Sequence, residues 1–541
     1  MEGRALRLGS GHPEHGRGVK ALHYHQVTKH YFNRFARSLG YLEWAMQPDP
    51  FRRYAGTLVI PLSRDVVAGE RSYVSLYERD RVLFAIDDRS IAEFLRCSMG
   101  LSAWKQYHQT RWALRVNPSS GNLHPTEAYL LRQGDIHHYA PREHALEQRA
   151  RIDRAAWDAF TGGRDGFLVA FTSILWREAW KYGERAFRYC QHDTGHALAA
   201  MRIAASLLGW NLTLLPRWSD ADLSTLLGVD RDSDYDDAER EETECLAVVT
   251  AEETAPWVAA DPAPLVAAAR NASWSGRANR LSTDHVPWPI IDEVAEATRY
   301  PGFALSIPNR QLPTPNHSQL PTPNSQEVRA REVILKRRSA VAFDARSGLA
   351  RDAFFSMLAR LRPGAPPWDA IDWPPQVHLI LFIHRVEGMT PGVYAYLRDP
   401  AVLDEWRSAM RPEFVWEPIE DGLFLLFPSD VTFTANRVSC DQEIAADGFF
   451  SLGMITRLEP SLRERGEWFY RRLFWECGMI GQVLYLDAEA TGARGTGIGC
   501  FYDDAVHELL ALSDDRWQSL YHFSMGVPVE DARLTTEPGY S

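Results

Sequence analysis

Short apolar runs bounded by turn residues recur along the chain. Four stand out: 127–132 (EAYLLR), 167–172 (FLVAFT), 378–384 (HLILFIH) and 423–427 (LFLLF). Each is of strand length and rich in β-branched or aromatic positions, so each predicts a strand. Longer segments of helical periodicity lie between them. The pattern predicts an α+β fold, with helices layered over a sheet.

Two blocks of the pattern occur twice. TGHALAAMRIAASLLGWNLTLLPRWSDADLSTLLGV from Thr194 aligns without a gap with CGMIGQVLYLDAEATGARGTGIGCFYDDAVHELLAL from Cys477, at an offset of 283. Gly195 meets Gly478, Gly209 meets Gly492, and Leu226-Leu227 meets Leu509-Leu510. Each copy reads as an apolar helix stopped by glycine, a short loop, and a helix opened by acidic residues. A second match pairs Tyr139 and Leu146 with Tyr396 and Leu403 at an offset of 257, which implies an insertion in the second copy between the two blocks. An internal repeat of this size implies one fold used twice. Between the copies, QLPTPN occurs at 311 and again at 319. Its prolines block both helix and sheet pairing, which predicts an extended linker. Ahead of it, WSGRANRLSTDHVPWPIIDEV reads as a connector with a short helix. The expected division is a first domain over 1–300 with a helical lead segment, a Pro-rich linker over 301–326, and a second domain over 327–541.

Bulk composition narrows the classes. At 541 residues the chain exceeds one core. A formal charge of -12, with no basic block, disfavours nucleic acid and anionic membranes as partners. The six cysteines form no CxxC pair, so no zinc ribbon or dithiol centre is visible. Scattered free cysteines fit a reducing compartment. No apolar run approaches bilayer length, and the basic first residues lead into no apolar stretch. A cytoplasmic protein is expected. His23, His25 and His30 lack a carboxylate or cysteine spacing that would complete a metal site. Asp503-Asp504 reads as the cap of the last repeated helix.

Three segments carry candidate chemistry, and the halves share them out. Pro118-Ser119-Ser120-Gly121-Asn122, preceded by Arg115, offers short hydroxyl and amide groups on a tight bend. Arg337-Arg338-Ser339 offers two guanidinium forks and a hydroxyl to a phosphate. Gly495-Thr496-Gly497-Ile498-Gly499-Cys500 lets backbone N–H groups approach a ligand closely. The first copy carries the bulky LTLLPRW at those positions, so the fold alone does not demand the glycines.

Taken together, these residues resemble the nitroreductase superfamily, and within it the SagB-type dehydrogenases, some of which oxidise azolines in modified peptides. The PSSGNLHPTEAYL block and KYGERAFRY (181–189) look like parts of one SagB-type copy, and RRSAVAF and the glycine segment like parts of a second. The resemblance implies FMN at the interface of two fused nitroreductase-like domains, an intramolecular pseudo-dimer. Pro118, Ser119, Ser120 and Asn122 would face Arg337, Arg338, Ser339 and the backbone of Gly497, Ile498, Gly499 and Cys500. Arg533 sits where the family often supplies a late phosphate-binding cation. Val341 stands where a further cation is common, a role Arg115 could fill. At the opposite interface, DDRSIAEF and WPPQVHLI replace the needed motifs, so one flavin per chain is expected. Lys181 and Tyr182 match the pair linked to proton removal during azoline oxidation. The expected activity is FMN-dependent hydride transfer on a small-molecule or peptide-borne substrate. NAD(P)H-dependent reduction of nitro or quinone compounds is the second enzyme reading. A degenerate flavin-binding or scaffold protein is the alternative of another class.

Overall fold

A computed structural model describes residues 19–78, 82–303, 328–420, 422–512 and 514–540. The QLPTPN repeats and the basic first residues lie outside them. In the first half the strands that position the site are β1 (Leu58–Pro61), β2 (Leu101–Tyr107), β3 (Thr110–Arg115), β4 (Thr126–Arg132), β5 (Asp135–Ala140), β6 (Ala145–Arg151), β7 (Phe167–Ser173), β8 (Asn211–Leu214), β9 (Glu242–Thr250) and β10 (Ser273–Trp274). The helices are α1 (Leu175–Tyr182), α2 (Ala186–Leu207) and α3 (Asp220–Leu227). The second half contributes α4 (Ala330–Lys336), β11 (Val377–Ile383), β12 (Gly392–Tyr396), α5 (Leu403–Ala409), β13 (Glu417–Glu420), β14 (Leu423–Pro428), β15 (Phe450–Arg457), α6 (Leu458–Arg465), α7 (Phe469–Ala490), β16 (Arg494–Ile498), α8 (Ala505–Leu510), β17 (Trp517–Gly526) and β18 (Thr535–Pro538).

The two main sheets share the order of six strands and differ in the strand added at the outer edge. The first runs β10-β6-β5-β4-β7-β9-β8, with β1 added to β6, and the second runs β13-β14-β12-β11-β15-β17-β16. Every pairing within them is antiparallel. Two α+β domains of like strand order therefore form a pseudo-dimer within one chain. The four predicted strands are β4, β7, β11 and β14, and the short helix ahead of the linker is Pro289–Ala297.

The sequence reading needs correction at two points of the repeat. Tyr139 pairs across the ladder with Leu146, but Tyr396 pairs with Leu423, not Leu403. Leu403 opens helix α5, because Pro400 starts a helical turn that carries the chain away from the sheet. The insertion is the α5–β13 excursion between β12 and β14. Both "short loops" after the repeated helices are edge strands, β8 and β16, each hydrogen-bonded to its sheet.

The duplicated helices make the interface. α2 and α7 are each 22 residues long, and α2 is buried at every position. They cross at Gly195 and Gly478, the glycines that align at the 283 offset. A Cβ on Gly195 would lie 2.2 Å from the Trp475 carbonyl oxygen, and one on Gly478 would lie 2.1 Å from that of His192. Only glycine permits this backbone contact, and its reciprocity marks the pseudo-two-fold axis. Because both helices are surrounded, their polar residues find partners inside the protein: Trp475 Nε1 donates to Gln191 Oε1 at 2.7 Å, and Arg202 binds Asp369 through Nε and Nη2. Asp503 ties the halves together rather than capping a helix. It is fully buried and accepts from Arg188 (2.6 Å), Arg185 (2.9 Å) and the His30 N–H (2.7 Å). At the chain end β18 crosses back to pair with β2, and the Tyr540 hydroxyl accepts the Leu101 N–H at 2.9 Å. Among the described residues no helix is long and apolar enough to cross a membrane, and no cluster could hold a metal ion.

Candidate cofactor site

A cavity of about 500 Å³ opens between the halves, within the range of small-molecule sites. One wall is the turn that follows β3. Gly121, Asn122 and His124 all take left-handed backbone angles (φ +60°, +60° and +52°), so the chain doubles back sharply. The turn satisfies itself. Asn122 Nδ2 donates to the Ala113 carbonyl at 2.9 Å, the Asn122 amide oxygen meets His124 Nε2 at 2.9 Å, and the His124 N–H donates to Ser119 Oγ at 2.7 Å. Ser120 donates from both its N–H (3.1 Å) and its hydroxyl (3.2 Å) to Asp193, inside α2. Burial pushes the Asp193 carboxyl up to about 7 against those bonds. Glu178, also fully buried, is raised by burial and by the neighbouring Asp193. Asp193 thus supports the turn from below, with Glu178 buried beside it. Sequence reading missed them, because a carboxylate in an apolar helix pattern looks like an exposed position until both faces of the helix are seen to be covered.

The opposite wall comes from the second half. Ser339 bridges to Gly495, so the Arg-Arg-Ser segment lies along β16. The Tyr485 hydroxyl, from α7, joins the two, accepting from Gly497 N–H (2.8 Å) and Ser339 Oγ (3.0 Å). The glycines of β16 answer to packing beneath them. An added Cβ would lie 2.3 Å from the Phe523 ring at Gly495, 1.9 Å from the Tyr521 hydroxyl at Gly497 and 2.1 Å from the Tyr189 ring at Gly499. The fold of this half therefore does demand them, contrary to the reading from the first copy. An aromatic floor of Tyr189, Tyr521 and Phe523 lets the strand sit low.

Most of the expected site residues line this one cavity: Pro118, Ser119, Ser120 and Asn122 from the first half, with the Arg-Arg-Ser segment and residues 497–500 from the second. Their roles differ. Arg337 is 4% exposed and donates to the carbonyls of Val116 (3.1 Å) and Arg115 (2.8 Å), stacked over Tyr485. Through Nε and Nη2 it clamps the halves together. Arg338 reaches only carbonyls, those of Leu335, Arg337 and Ser102, and no carboxylate lies within ion-pair distance among the described residues. Burial, then the neighbouring Arg337 charge, lowers it to about 10. Lys105 of β2, not foreseen from sequence, joins this end and is lowered by burial, with Glu530 acting against that and Arg494 and Arg338 adding to it. The result is a half-buried group of cations in which Arg494 pairs with Glu530 and Arg338 has no carboxylate partner. Arg115 borders the cavity, but its guanidinium turns inward to the carbonyls of Pro50 and Thr126 and over Phe51, which leaves it unable to replace the cation absent at Val341. Arg533 points outward, 72% exposed, paired with Asp531 at 2.8 Å, and is not among the lining residues.

Lys181 and Tyr182 close α1 against the turn. A Cβ on Gly121 would lie 2.7 Å from the Tyr182 hydroxyl and 3.0 Å from Lys181 Nζ. Tyr182 lines the same cavity as Arg338, whereas Lys181 packs against Gly121 and is not among the lining residues. Burial and then Glu178 raise the Tyr182 phenol well above its ordinary value.

The pseudo-symmetric position is filled. Arg472, the repeat equivalent of Tyr189, is enclosed by Trp475 (4.3 Å), Tyr300 (5.0 Å), Trp373 (5.2 Å) and Trp468 (5.9 Å). Glu476, equivalent to Asp193, accepts from Gln376 N–H (3.0 Å), Val377 N–H (3.1 Å) and the Arg398 guanidinium.

Comparison with known proteins agrees with the duplicated architecture. A model described as the nitroreductase family matches residues 88–236 and 334–527, more than half of the chain. No curated protein matches. Among solved structures, one from Anabaena variabilis assigned as a nitroreductase is 20% identical and aligns over 94% of this chain and 100% of its own, with a TM-score of 0.67. The Escherichia coli microcin synthetase McbBCD complex with truncated pro-MccB17 is 17% identical over 35% of this chain and 71% of its own, TM-score 0.25. The NADPH:FMN oxidoreductase of Vibrio harveyi, complexed with NAD+, is 14% identical over 37% and 68%, TM-score 0.21.

Proposed function

The chain belongs to the nitroreductase family, and from that premise we propose that it is an FMN-dependent oxidoreductase of the SagB type, with one flavin per chain between domains 1–300 and 327–541 acting as a self-contained pair. The family is typically flavin-dependent. The observation that carries the reading is the cavity shared by both halves, with a cluster of cations at one end, Arg338 without a carboxylate partner among them, and the Ser-Asn turn at the other. Arg338 and Lys105 suit a phosphate, whose charge would relieve their mutual repulsion. Buried polar atoms that border the cavity without a protein partner, Asn117 Oδ1, His124 Nδ1 and His196 Nδ1, suit a polar heterocycle. On the other side of the axis, Arg472 and the surrounding tryptophans occupy the equivalent position, which supports one flavin rather than two.

When bound, FMN supplies a hydride acceptor at N5. The protein supplies the rest. Tyr189 and Tyr521 support the aromatic floor, and the Asp193–Ser120 bonds fix the turn. Tyr182 stays protonated at neutral pH and holds Lys181 beside the turn, with the ammonium 5.2 Å from its ring centroid. Lys181 is positioned to take the proton that leaves a substrate as it is oxidised. The substrate class is a small molecule or a peptide-borne heterocycle, and NAD(P)H is an alternative donor at the same face.

Purification tests the reading. Expected is a yellow protein with about one FMN per chain, reversibly reduced. A colourless protein indifferent to added FMN would support a scaffold instead, and two flavins per chain would refute the filled second site. Lys181→Ala should keep the flavin spectrum and lose ~10²- to 10⁴-fold in azoline oxidation, the usual scale for a general base. Unchanged turnover would remove Lys181 from that role.

A further inference from the structure

Four of the six cysteines are buried, and burial raises the thiols of Cys97, Cys190, Cys245 and Cys477. Cys440 and Cys500 are different. They are half-buried and meet in space although 60 residues apart in sequence. Cys440 follows the helix Thr432–Val438, and Cys500 follows β16 and borders the cavity. Two clamps hold the segments together. The Tyr502 N–H donates to the Val438 carbonyl at 3.0 Å, and Gln442 Nε2 donates to the carbonyls of both Ser439 (2.7 Å) and Cys500 (2.8 Å). Cys440 and Asp441 both adopt left-handed angles (φ +56°), a costly conformation for non-glycine residues. The two thiols are close enough to influence each other's ionisation.

The surroundings make the thiols unequal. His30 Nδ1 accepts the Ala36 N–H at 2.8 Å, so a neutral His30 ring carries its proton on Nε2, the nitrogen free to donate to Cys500. Arg185, anchored by Asp503 (2.9 Å) and the Thr28 carbonyl (2.7 Å), donates to the Gly499 carbonyl at 3.2 Å and fixes a cation beside the same sulfur. The interaction with Cys440 and then His30, working against burial, lower the Cys500 thiol, while Cys440 is raised. The imidazole N–H and the guanidinium beside Cys500 favour its thiolate over that of Cys440, the arrangement that suits exchange.

We propose that Cys440 and Cys500 are a redox-active dithiol on the cavity rim that closes to an intramolecular disulfide by exchange with a small-molecule disulfide such as oxidised glutathione. The Cys500 thiolate attacks one sulfur of the small disulfide. That S–S bond breaks, a mixed disulfide forms at Cys500, and one glutathione thiolate leaves and takes up a proton. Cys440 then loses its proton to solvent and attacks the Cys500 sulfur, and the second glutathione leaves as thiol. The protein dithiol is oxidised by two electrons, and the small disulfide is reduced to two thiols. Closure pins the end of β16, and with it the 497–500 wall of the cavity, to the helix Thr432–Val438.

Peptide mapping tests this on the full chain, in whatever flavin state it is purified. After incubation with oxidised glutathione, unfolding and alkylation, the non-reduced digest should contain one cross-linked peptide pair joined through Cys440 and Cys500, with the four buried cysteines alkylated. Cys440→Ser should instead accumulate a glutathione adduct at Cys500, and Cys500→Ser should carry none at Cys440. Recovery of both thiols alkylated from the oxidised parent would overturn the proposal, and that measurement needs no variant to fold. A Cys440→Ser protein that melts like the parent but carries no adduct at Cys500 would overturn the assignment of Cys500 as the attacking thiol.

Discussion

Replacing Gly195 with alanine should destabilise the protein although alanine is the better helix former. The added methyl would lie 2.2 Å from the Trp475 carbonyl oxygen, 2.7 Å from its Cα and 2.8 Å from its carbonyl carbon. Restoring ordinary contact requires α2 and α7 to part by roughly 1 Å. The obstacle is backbone inside a buried helix, so no side chain can rotate away. Overpacking costs ~1–3 kcal/mol, and here the upper end applies. Removing a helical glycine returns ~1 kcal/mol, leaving a net loss of about 2 kcal/mol. Gly481→Ala grades the effect. Its methyl would meet the edge of the His196 ring at 2.6 Å, a side chain that can turn, so the loss should be smaller. Parting the helices also shifts Tyr189, Asp193 and His196 relative to Tyr485, all of which line the cavity, so FMN affinity should fall with stability in Gly195→Ala. Denaturant midpoints and flavin titration read both quantities. A Gly195→Ala protein as stable as the parent, or a Gly481→Ala loss equal to it, would refute the helix-crossing account.

Two further outcomes follow from the charges. Arg338→Ala should weaken FMN binding by ~10- to 100-fold, the scale of a lost charge-assisted contact, while Arg533→Ala should change it by less than ~2-fold; equal losses in a fluorescence titration would mean the phosphate end is misassigned. Burial alone would lower His138, but Glu127 (3.0 Å) and Glu147 (2.9 Å) on its two ring nitrogens raise it to about 9. Its stabilising contribution is therefore complete below the ordinary histidine value of 6.5 and is lost as pH rises through about 9. For Glu127 burial works upward, but Arg177 and then His138 outweigh it and hold the carboxyl down at about 2. That contribution is present above the ordinary 4.5 and disappears as pH falls toward 2. Denaturation midpoints should decline between pH 6.5 and 9 in the parent and stay flat there in His138→Gln, and a parallel decline in the variant would show that another group titrates.

Local pattern and the repeat were enough to give the α+β class, the duplicated unit and the segments that meet. Strand period, glycine stops and the 283-residue offset are properties of neighbouring residues, and the fold repeats them because each copy buries the same face. Other features depend on contacts between residues far apart in sequence. Leu403 matched Leu146 as a letter, yet ladder register assigns that place to Leu423, since Pro400 diverts the chain. The β16 glycines looked like openings for a ligand, and the aromatic rings beneath them proved to be the reason. Arg337 and Arg338 are adjacent letters with divergent tasks, one a clamp on Arg115 and Val116, the other a cation facing the cavity. Sequence alone specified which chemical groups this chain owns and in what order. Which of them remain uncommitted was decided only when the two halves closed, because a buried donor is satisfied by whatever acceptor the packing brings near it, and no local pattern records that choice.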